Sequence, residues 1–550
     1  MRDRTGIAQV VIDPDVVGKD AFEEISHYGR EFVLQVNGKV RSRGEKDINP
    51  DMPTGEIEVL ANEVILLNKS QTPPFDIEDG IDTSDDMKMT WRFLDLRRPE
   101  MYKTLNLRHK FSHAIRNALD KRGFIDVETP ILANPTPEGA RDYIVPSRVN
   151  PGSFYALPQS PQQFKQLLMV AGVERYYQIA RCFRDEDLRA DRQPEFTQVD
   201  VEMSFVHTTE VIDAMEEVIL EALDSVGVKI KGPLPRMDYK EAMDRFGCDR
   251  PDNRFGMELV DISDLVKDSD FKVFSNTIKD GGVVKAINAK GAGDWSRGDT
   301  EKLQQIASDN GAKGLAYMLF RSDGSVTSSI AKFFDDKQMA ALKKALDVKD
   351  GDLVLFVADK YKVVSAALSA LRVHMGNVLG LIDKSKHSLL WVVNFPMFCL
   401  DEETGKYSAE HHPFTHVLDE DMDKIESAPL ECGSYSYDIV MDGYEAGGGS
   451  IRIHNADEQR RVLRVCGLSD EEIDEKFGHL LHALSLGAPP HGGIALGLDR
   501  MVMLIAQRDS IRDVIAFPKT TSASDLMTGA PNPVDQNTLD ELSIQTKKGK

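Results

Sequence analysis

The sequence predicts an α+β protein: an antiparallel sheet flanked by helices, preceded by a small β-barrel and interrupted by a separate block of mixed strands and helices. Three observations predict it. Residues 195–204 alternate strictly, with Val199, Val201 and Met203 on one face and Gln198, Asp200 and Glu202 on the other; residues 176–184 alternate before them. Period two is the signature of strands. Asp442-Gly443 lies between two more strand-like runs and is a two-residue hairpin signal. Helical patterns flank these runs, as at 99–121, where Phe111, Ile115 and Leu119 recur at i, i+4, i+8 before Gly123.

In chain order, residues 1–70 read as short strands. Residues 6–14 alternate, 31–43 carry an Asn37-Gly38 turn signal, and 54–67 read as a strand pair. Small barrels of this kind, the OB-folds, commonly bind single-stranded nucleic acid. Residues 71–100 read as a linker, with Pro73-Pro74 and an acidic run. The strand expected from residue 123 is broken at Pro130. After residue 157 a two-proline turn leads into a helix for which Ser160 is a cap candidate and Pro161 a first-turn residue. Residues 258–385 form a separate block with no catalytic constellation. A buried strand then returns at 387–398.

With 550 residues and 41% hydrophobic content, roughly two to four globular domains are expected. No apolar run reaches the ~18 residues of a membrane span, and the N-terminus has no signal-peptide core. The five cysteines are scattered without a C-x-x-C pair, which argues against a zinc site and for a reducing cytoplasm. The net charge of −23 speaks against nucleic acid only weakly, because local patches decide. Residues 91–122 hold nine Lys/Arg against three Asp/Glu, either a phosphate-binding strip or a solvated helix face.

The chemistry gathers in the loop after residue 183. Arg184, Arg189 and Arg192, with Arg181 just before them, are interspersed with Asp185, Glu186, Asp187 and Asp191. Arginine forks suit phosphate oxygens, although charge pattern alone also fits a solvated surface hairpin. The wording FRDEDLRADRQPEFTQ resembles motif 2 of class II aminoacyl-tRNA synthetases, in the form of the bacterial-type aspartyl-tRNA synthetases. GFIDVETPIL resembles motif 1, a dimer contact in that family, and GGIALGLDR resembles motif 3. The resemblance runs from Arg2 onward.

That resemblance implies a class II synthetase fold divided as follows: a partial OB-fold anticodon-binding domain at 1–70, a hinge at 71–100, and a catalytic domain at 101–257 and 386–550 around a GAD-like insertion at 258–385. It also implies that the first two strands of the barrel are absent, through a misassigned start or a truncation, so that reduced anticodon recognition and open barrel edges are expected. Arg184 and Arg500 are the implied catalytic residues, on the α- and γ-phosphates of ATP. Asp185, Glu186, Gln193, Glu445, Gly497, Leu498 and Asp499 are carried over as further ATP contacts. Glu138, in a loop expected to close over substrate, Gln162, Lys165, Arg184, Asp200, His411 and Arg452 are implied to hold aspartate; His412 reads as structural. Asp438 and Glu445 are expected to converge diagonally across the hairpin and to hold Mg²⁺ with the phosphates. Arg452 lies seven residues past Glu445, so strict alternation would turn it away. A bulge at Gly447–Gly449 is expected to re-aim it.

The implied activity is ATP-dependent attachment of L-aspartate to tRNA-Asp through an aspartyl-adenylate, by a cytoplasmic homodimer, with a ligase that also charges tRNA-Asn as the alternative. An asparaginyl- or lysyl-type ligase is disfavoured by the Lys165/Arg452 pair and the insertion. A silent tRNA-binding paralogue is disfavoured by the intact set Arg184, Asp438, Glu445 and Arg500.

Overall fold

A computed structural model describes residues 1–136 and 139–547. The chain forms two compact units, Met1–Tyr102 and Lys103–Lys550.

In the first unit, β1 (Val10–Val11), α1 (Lys19–Ser26), β2 (Val33–Ser42) and β3 (Ile57–Asn68) build a three-stranded sheet in the order β1-β3-β2. Asn37-Gly38 is not a turn. β2 runs straight through it, with a register shift against β3 at that point. Gly38 is required there because a Cβ would lie 2.4 Å from the Leu60 carbonyl oxygen. The stretch 54–67, expected as a strand pair, instead contributes to one long strand, Ile57–Asn68. The linker stretch contains two short helices, Asp85–Thr90 and Arg92–Asp95. Buried Asp95 there accepts from Arg92 at 2.6 Å and Arg98 at 2.7 Å.

The second unit is organised by α2 (Pro99–Asp120), β4 (Ile125–Asp126), α3 (Gln162–Val170), β5 (Arg175–Phe183), β6 (Glu195–Ser204), α4 (Thr208–Ser225), β7 (Arg236–Asp238), α5 (Tyr239–Phe246), β8 (Leu389–Val393), β9 (Ser436–Met441), β10 (Tyr444–Ile451) and β11 (His491–Gly497). The eight strands form one sheet in the order β7-β8-β9-β10-β11-β6-β5-β4. The six inner strands are antiparallel, as expected. The outermost strands, β4 and β7, run parallel to their neighbours, which corrects the purely antiparallel reading. Each is joined to its neighbour by a long crossover rather than a tight turn, and parallel pairing requires that. β4 is only two residues long and stops before Pro130.

The sheet's two faces differ in chemistry. On one, Val199, Val201, Met203, Ile439 and Ile494 pack against Phe111, Ile115 and Leu119 of α2 and Val211, Met215 and Val218 of α4. Each such side chain contributes roughly 1.5–3 kcal/mol by burial. The opposite face carries Asp200, Glu202, Asp438 and Arg452, all buried.

The insertion has its own five-stranded sheet. Leu353, Leu355 and Val357 face helices Arg297–Asp309 and α6 (Tyr361–Val378); Val354 and Phe356 face Phe274 and Leu342 on the other side. Helices therefore cover both faces.

Candidate active site

A cleft of about 150 Å³ opens on the polar face of the large sheet. Arg184, Glu186, Gln193, Glu445, Gly497, Asp499 and Arg500 line it, together with the loop carboxylate Asp191 and with Phe196 and Thr197, which the sequence did not single out. The Arg184 guanidinium sits 5.0 Å above the centre of the Phe196 ring. Arg500 stands in the first turn of α7 (Leu498–Ile505), directly after β11. It donates to the Glu445 carbonyl at 2.6 Å and to Asp191 at 3.2 Å, while its buried Nε has no partner. Two arginines at one helix-start cleft suit an anion of several charges.

Beside the cleft lies a pocket of buried charge. Lys165 Nζ, on α3, is 2.8 Å from Asp200 Oδ1 and 3.2 Å from Glu202 Oε2. Arg452 donates to both Glu202 oxygens, at 2.9 and 3.1 Å, and its Nη1 lies 2.6 Å from both Ser450 Oγ and His412 Nε2. Burial alone would push the Glu202 carboxyl up, but Arg452 and Lys165 outweigh it and hold the group at about 2. For Asp200 burial wins over Lys165 and the shift is upward; its Oδ2 is buried without a hydrogen bond. Burial, reinforced by Arg452, keeps His412 neutral. Gln162 lies on the same helix, its Nε2 3.4 Å from Gln166 Oε1. The cluster thus holds two cations, both paired with Glu202, and one unpartnered carboxylate oxygen on Asp200, groups able to meet the ammonium and the acidic side chain of a small amino acid.

The β9–β10 hairpin joins pocket to cleft. Asp442 (φ 56°) and Gly443 (φ 85°) form its turn, with Met441 facing Tyr444 and Val440 facing Glu445, the register expected from sequence. The bulge is present but falls at Ala446, before the glycines. It brings Glu445 and Arg452 to the same side of the sheet. A Cβ on Gly448 would lie 2.8 Å from Asp438 Oδ1 and 3.6 Å from Glu445 Oε1, so the two carboxylates converge above that glycine. Among the described residues no group of three or more His, Cys, Asp or Glu could hold a metal. A pair fits Mg²⁺ only where phosphate and water supply the other oxygens, which is how that ion is usually held. Burial pushes Asp438 up to about 6, against the pull of His411, whose Nε2 is 2.9 Å away. Burial opposes a charged His411, but Asp438 outweighs it and raises the ring's pKa; its buried Nδ1 has no partner.

Several expected contacts are placed differently. Leu498 packs into the hydrophobic core and does not line the cleft. Asp185 lies outside the cleft, 3.4 Å from Arg141. Asp499 accepts from Thr197 N at 2.7 Å and pairs with Arg108, so its carboxylate is a structural tie. The Gln193 amide exchanges hydrogen bonds with the backbone of Lys519, at 2.7 and 3.0 Å. His411 touches the hairpin carboxylate, and His412, read as structural, touches Arg452. The helix expected to be capped by Ser160 has Pro161 at its N-cap with no side-chain bond. Glu138 lies outside the described residues; beside it, Gln159 pins Thr136, Ala140 and Asp142. The basic stretch 91–122 is largely paired internally: Arg92 and Arg98 with Asp95, Arg108 with Asp499, Arg116 with Asp126, and Lys121 and Arg122 with Glu221.

Residues 84–521 match the family described as tRNA synthetases class II (D, K and N), and residues 1–67 match the OB-fold nucleic acid binding domain. The chain belongs to the class II tRNA synthetases. The aspartate–tRNA ligase of Bacillus licheniformis is 54% identical over 551 residues, covering 100% of this chain and 93% of that protein. The aspartate–tRNA(Asp/Asn) ligase of Bacillus subtilis matches at the same identity and coverage. Within the class, the chain is a member of the bacterial-type aspartyl-tRNA synthetases. The asparaginyl-tRNA synthetase of Pyrococcus horikoshii complexed with asparaginyl-adenylate shares the fold, with TM-score 0.58 and 18% identity over 94% of this chain and 90% of that one.

Proposed function

We propose that the protein is an aspartate–tRNA ligase. The aspartate α-carboxylate attacks the α-phosphorus of ATP, pyrophosphate leaves, and the 3′-terminal ribose hydroxyl of tRNA-Asp then attacks the acyl carbon and releases AMP. The observation that carries this reading is the buried Lys165–Arg452 pair set beside a cleft lined by Arg184 and Arg500. The free Asp200 oxygen accepts from the substrate ammonium, and the two cations face its side-chain carboxylate. Glu202 already pairs both cations; a substrate carboxylate adds a second charge-assisted partner that an amide does not supply, the basis for preferring aspartate over asparagine. Arg184 grips the α-phosphate, Arg500 the γ-phosphate, and Phe196 offers a flat face to the purine. Positioning and charge neutralisation carry the reaction, with no side chain needed as general base.

Mg²⁺ held by Asp438 and Glu445 would neutralise phosphate charge and keep the triphosphate bent. A homodimer is supported by the exposed apolar Ile125, Ile131 and Leu132 at the β4 edge, where motif 1 lies. The free cysteines suit a cytoplasmic location, and among the described residues no helix is long and apolar enough to cross a membrane. Since relatives bear both names, charging of tRNA-Asn is the second reading. Pyrophosphate exchange into ATP that requires aspartate and ignores asparagine tests the first step. Charging assays with tRNA-Asp and tRNA-Asn test the second. Exchange that runs equally with asparagine would sink the assignment.

A further inference from the structure

The segment between α5 and the insertion lies against the turn of the β9–β10 hairpin. A Cβ on Gly443 would stand 2.9 Å from the Asp252 Cβ, so turn and segment are in close contact. Arg254 forks onto Asp252, Nε to Oδ1 at 2.9 Å and Nη2 to Oδ2 at 2.8 Å. The same Nη2 donates to the Asp442 carbonyl at 3.3 Å, and Nη1 is 3.7 Å from Asp442 Oδ1. Asp442 is buried and further tied to Ser388 N at 2.8 Å and His387 Nδ1 at 2.6 Å.

Behind this contact stands Arg372 of α6, almost fully buried. Its Nη2 donates to the carbonyls of Asp252, Phe255 and Gly256 at 2.9, 2.8 and 2.9 Å, and its Nε to Met257 at 3.1 Å. Its guanidinium carbon lies 3.9 Å above the centre of the Phe255 ring. Desolvation pulls its pKa down to about 10, since carbonyl dipoles replace water imperfectly. Keeping a buried cation there gathers the carbonyls of 252–257 into one fixed bend. An unbroken path of packed and hydrogen-bonded groups therefore runs from the insertion's helix, through Asp252 and Arg254, to the hairpin turn. Asp438 lies four residues before that turn and Glu445 two residues after it. A shift of the turn would move both carboxylates.

We propose that Arg254 and Arg372 are positioning residues through which the docked insertion braces the Asp438/Glu445 hairpin for the nucleotide step. The inference rests on the cleft's being the ATP site. Groups that orient metal ligands typically change affinity or activity 10–100-fold when removed. In Arg254→Ala, KM for Mg²⁺·ATP in aspartate-dependent exchange should rise about 10-fold, with KM for aspartate nearly unchanged. Arg254→Lys, which keeps the charge but cannot fork, should fall between. Should the alanine variant not fold, Arg254→Lys and Arg372→Lys carry the same comparison. Amide hydrogen exchange on the ligand-free protein gives a readout independent of activity: residues 436–451 should exchange faster in the variants while 195–204 stay protected. Unchanged protection of the hairpin, or equal rises in both KM values, would overturn the brace. Absence of aspartate-dependent exchange in the wild-type protein would instead count against the function, and the hydrogen-exchange result would still decide the brace.

Discussion

At the scale of single residues, Glu202 is the counter-ion that lets Arg452 and Lys165 stay buried. Held near 2 against an ordinary 4.5, its carboxylate stabilises the fold above pH 4.5, and that contribution is lost as pH falls toward 2. Glu202→Gln should destabilise the protein by about 3 kcal/mol, measured by denaturant unfolding at pH 7, with a smaller deficit at pH 3. Asp438 has the opposite sign. Its carboxyl titrates near 6 rather than 3.8, so ionisation at pH 7 destabilises the ligand-free fold. Asp438→Asn should raise the melting temperature of the ligand-free protein and abolish adenylate formation; a lowered melting temperature would contradict this account. In the wild type, dependence on Mg²⁺ should steepen as pH falls below about 6 and Asp438 gains its proton. Glu202 was legible in the sequence as a polar-face residue two positions from Asp200, but its partner was not. No local pattern joins residue 202 to residue 452.

Among elements, the β9–β10 hairpin shows what local chemistry predicts and where it stops. Asp442-Gly443 defined both the turn and the register. The bulge was foreseen from the need to turn Arg452 inward, yet it falls at Ala446, because the glycines beyond are used for close approach. Gly448 gives the two carboxylates room and Gly449 lets the backbone of Gly493 approach, with a hypothetical Cβ 2.2 Å from that carbonyl oxygen. Gly448→Ala should keep the fold but push Asp438 and Glu445 apart, lowering kcat/KM for ATP about 10-fold or more, with aspartate binding by calorimetry little changed. Asn37-Gly38 carried an equally strong turn signal and lies inside a strand instead. There the long pairing of β2 with β3 overrides the dipeptide preference, a tertiary effect that a short window does not contain.

Across the whole molecule, alternation along β6 marked a polar face, which the structure buries, and the family resemblance rather than the charge pattern said what that face would bind. What stayed illegible was long-range. Arg108 belongs to Asp499, and the parallel edge strands follow from crossovers rather than from their own few residues. Seven residues, β11, form the seam of the large sheet: one edge pairs with β6 and the other with β10. They are also made late in the chain. While the polypeptide is being synthesised, both flanking strands must therefore wait with bare edges, one of them for nearly 300 residues. Edges of that kind attract other chains. A chain ending at residue 490 should accumulate as an insoluble or chaperone-bound species, and supplying the missing segment as a separate peptide during refolding should recover soluble protein. The last strand to leave the ribosome would then be the one that closes the protein.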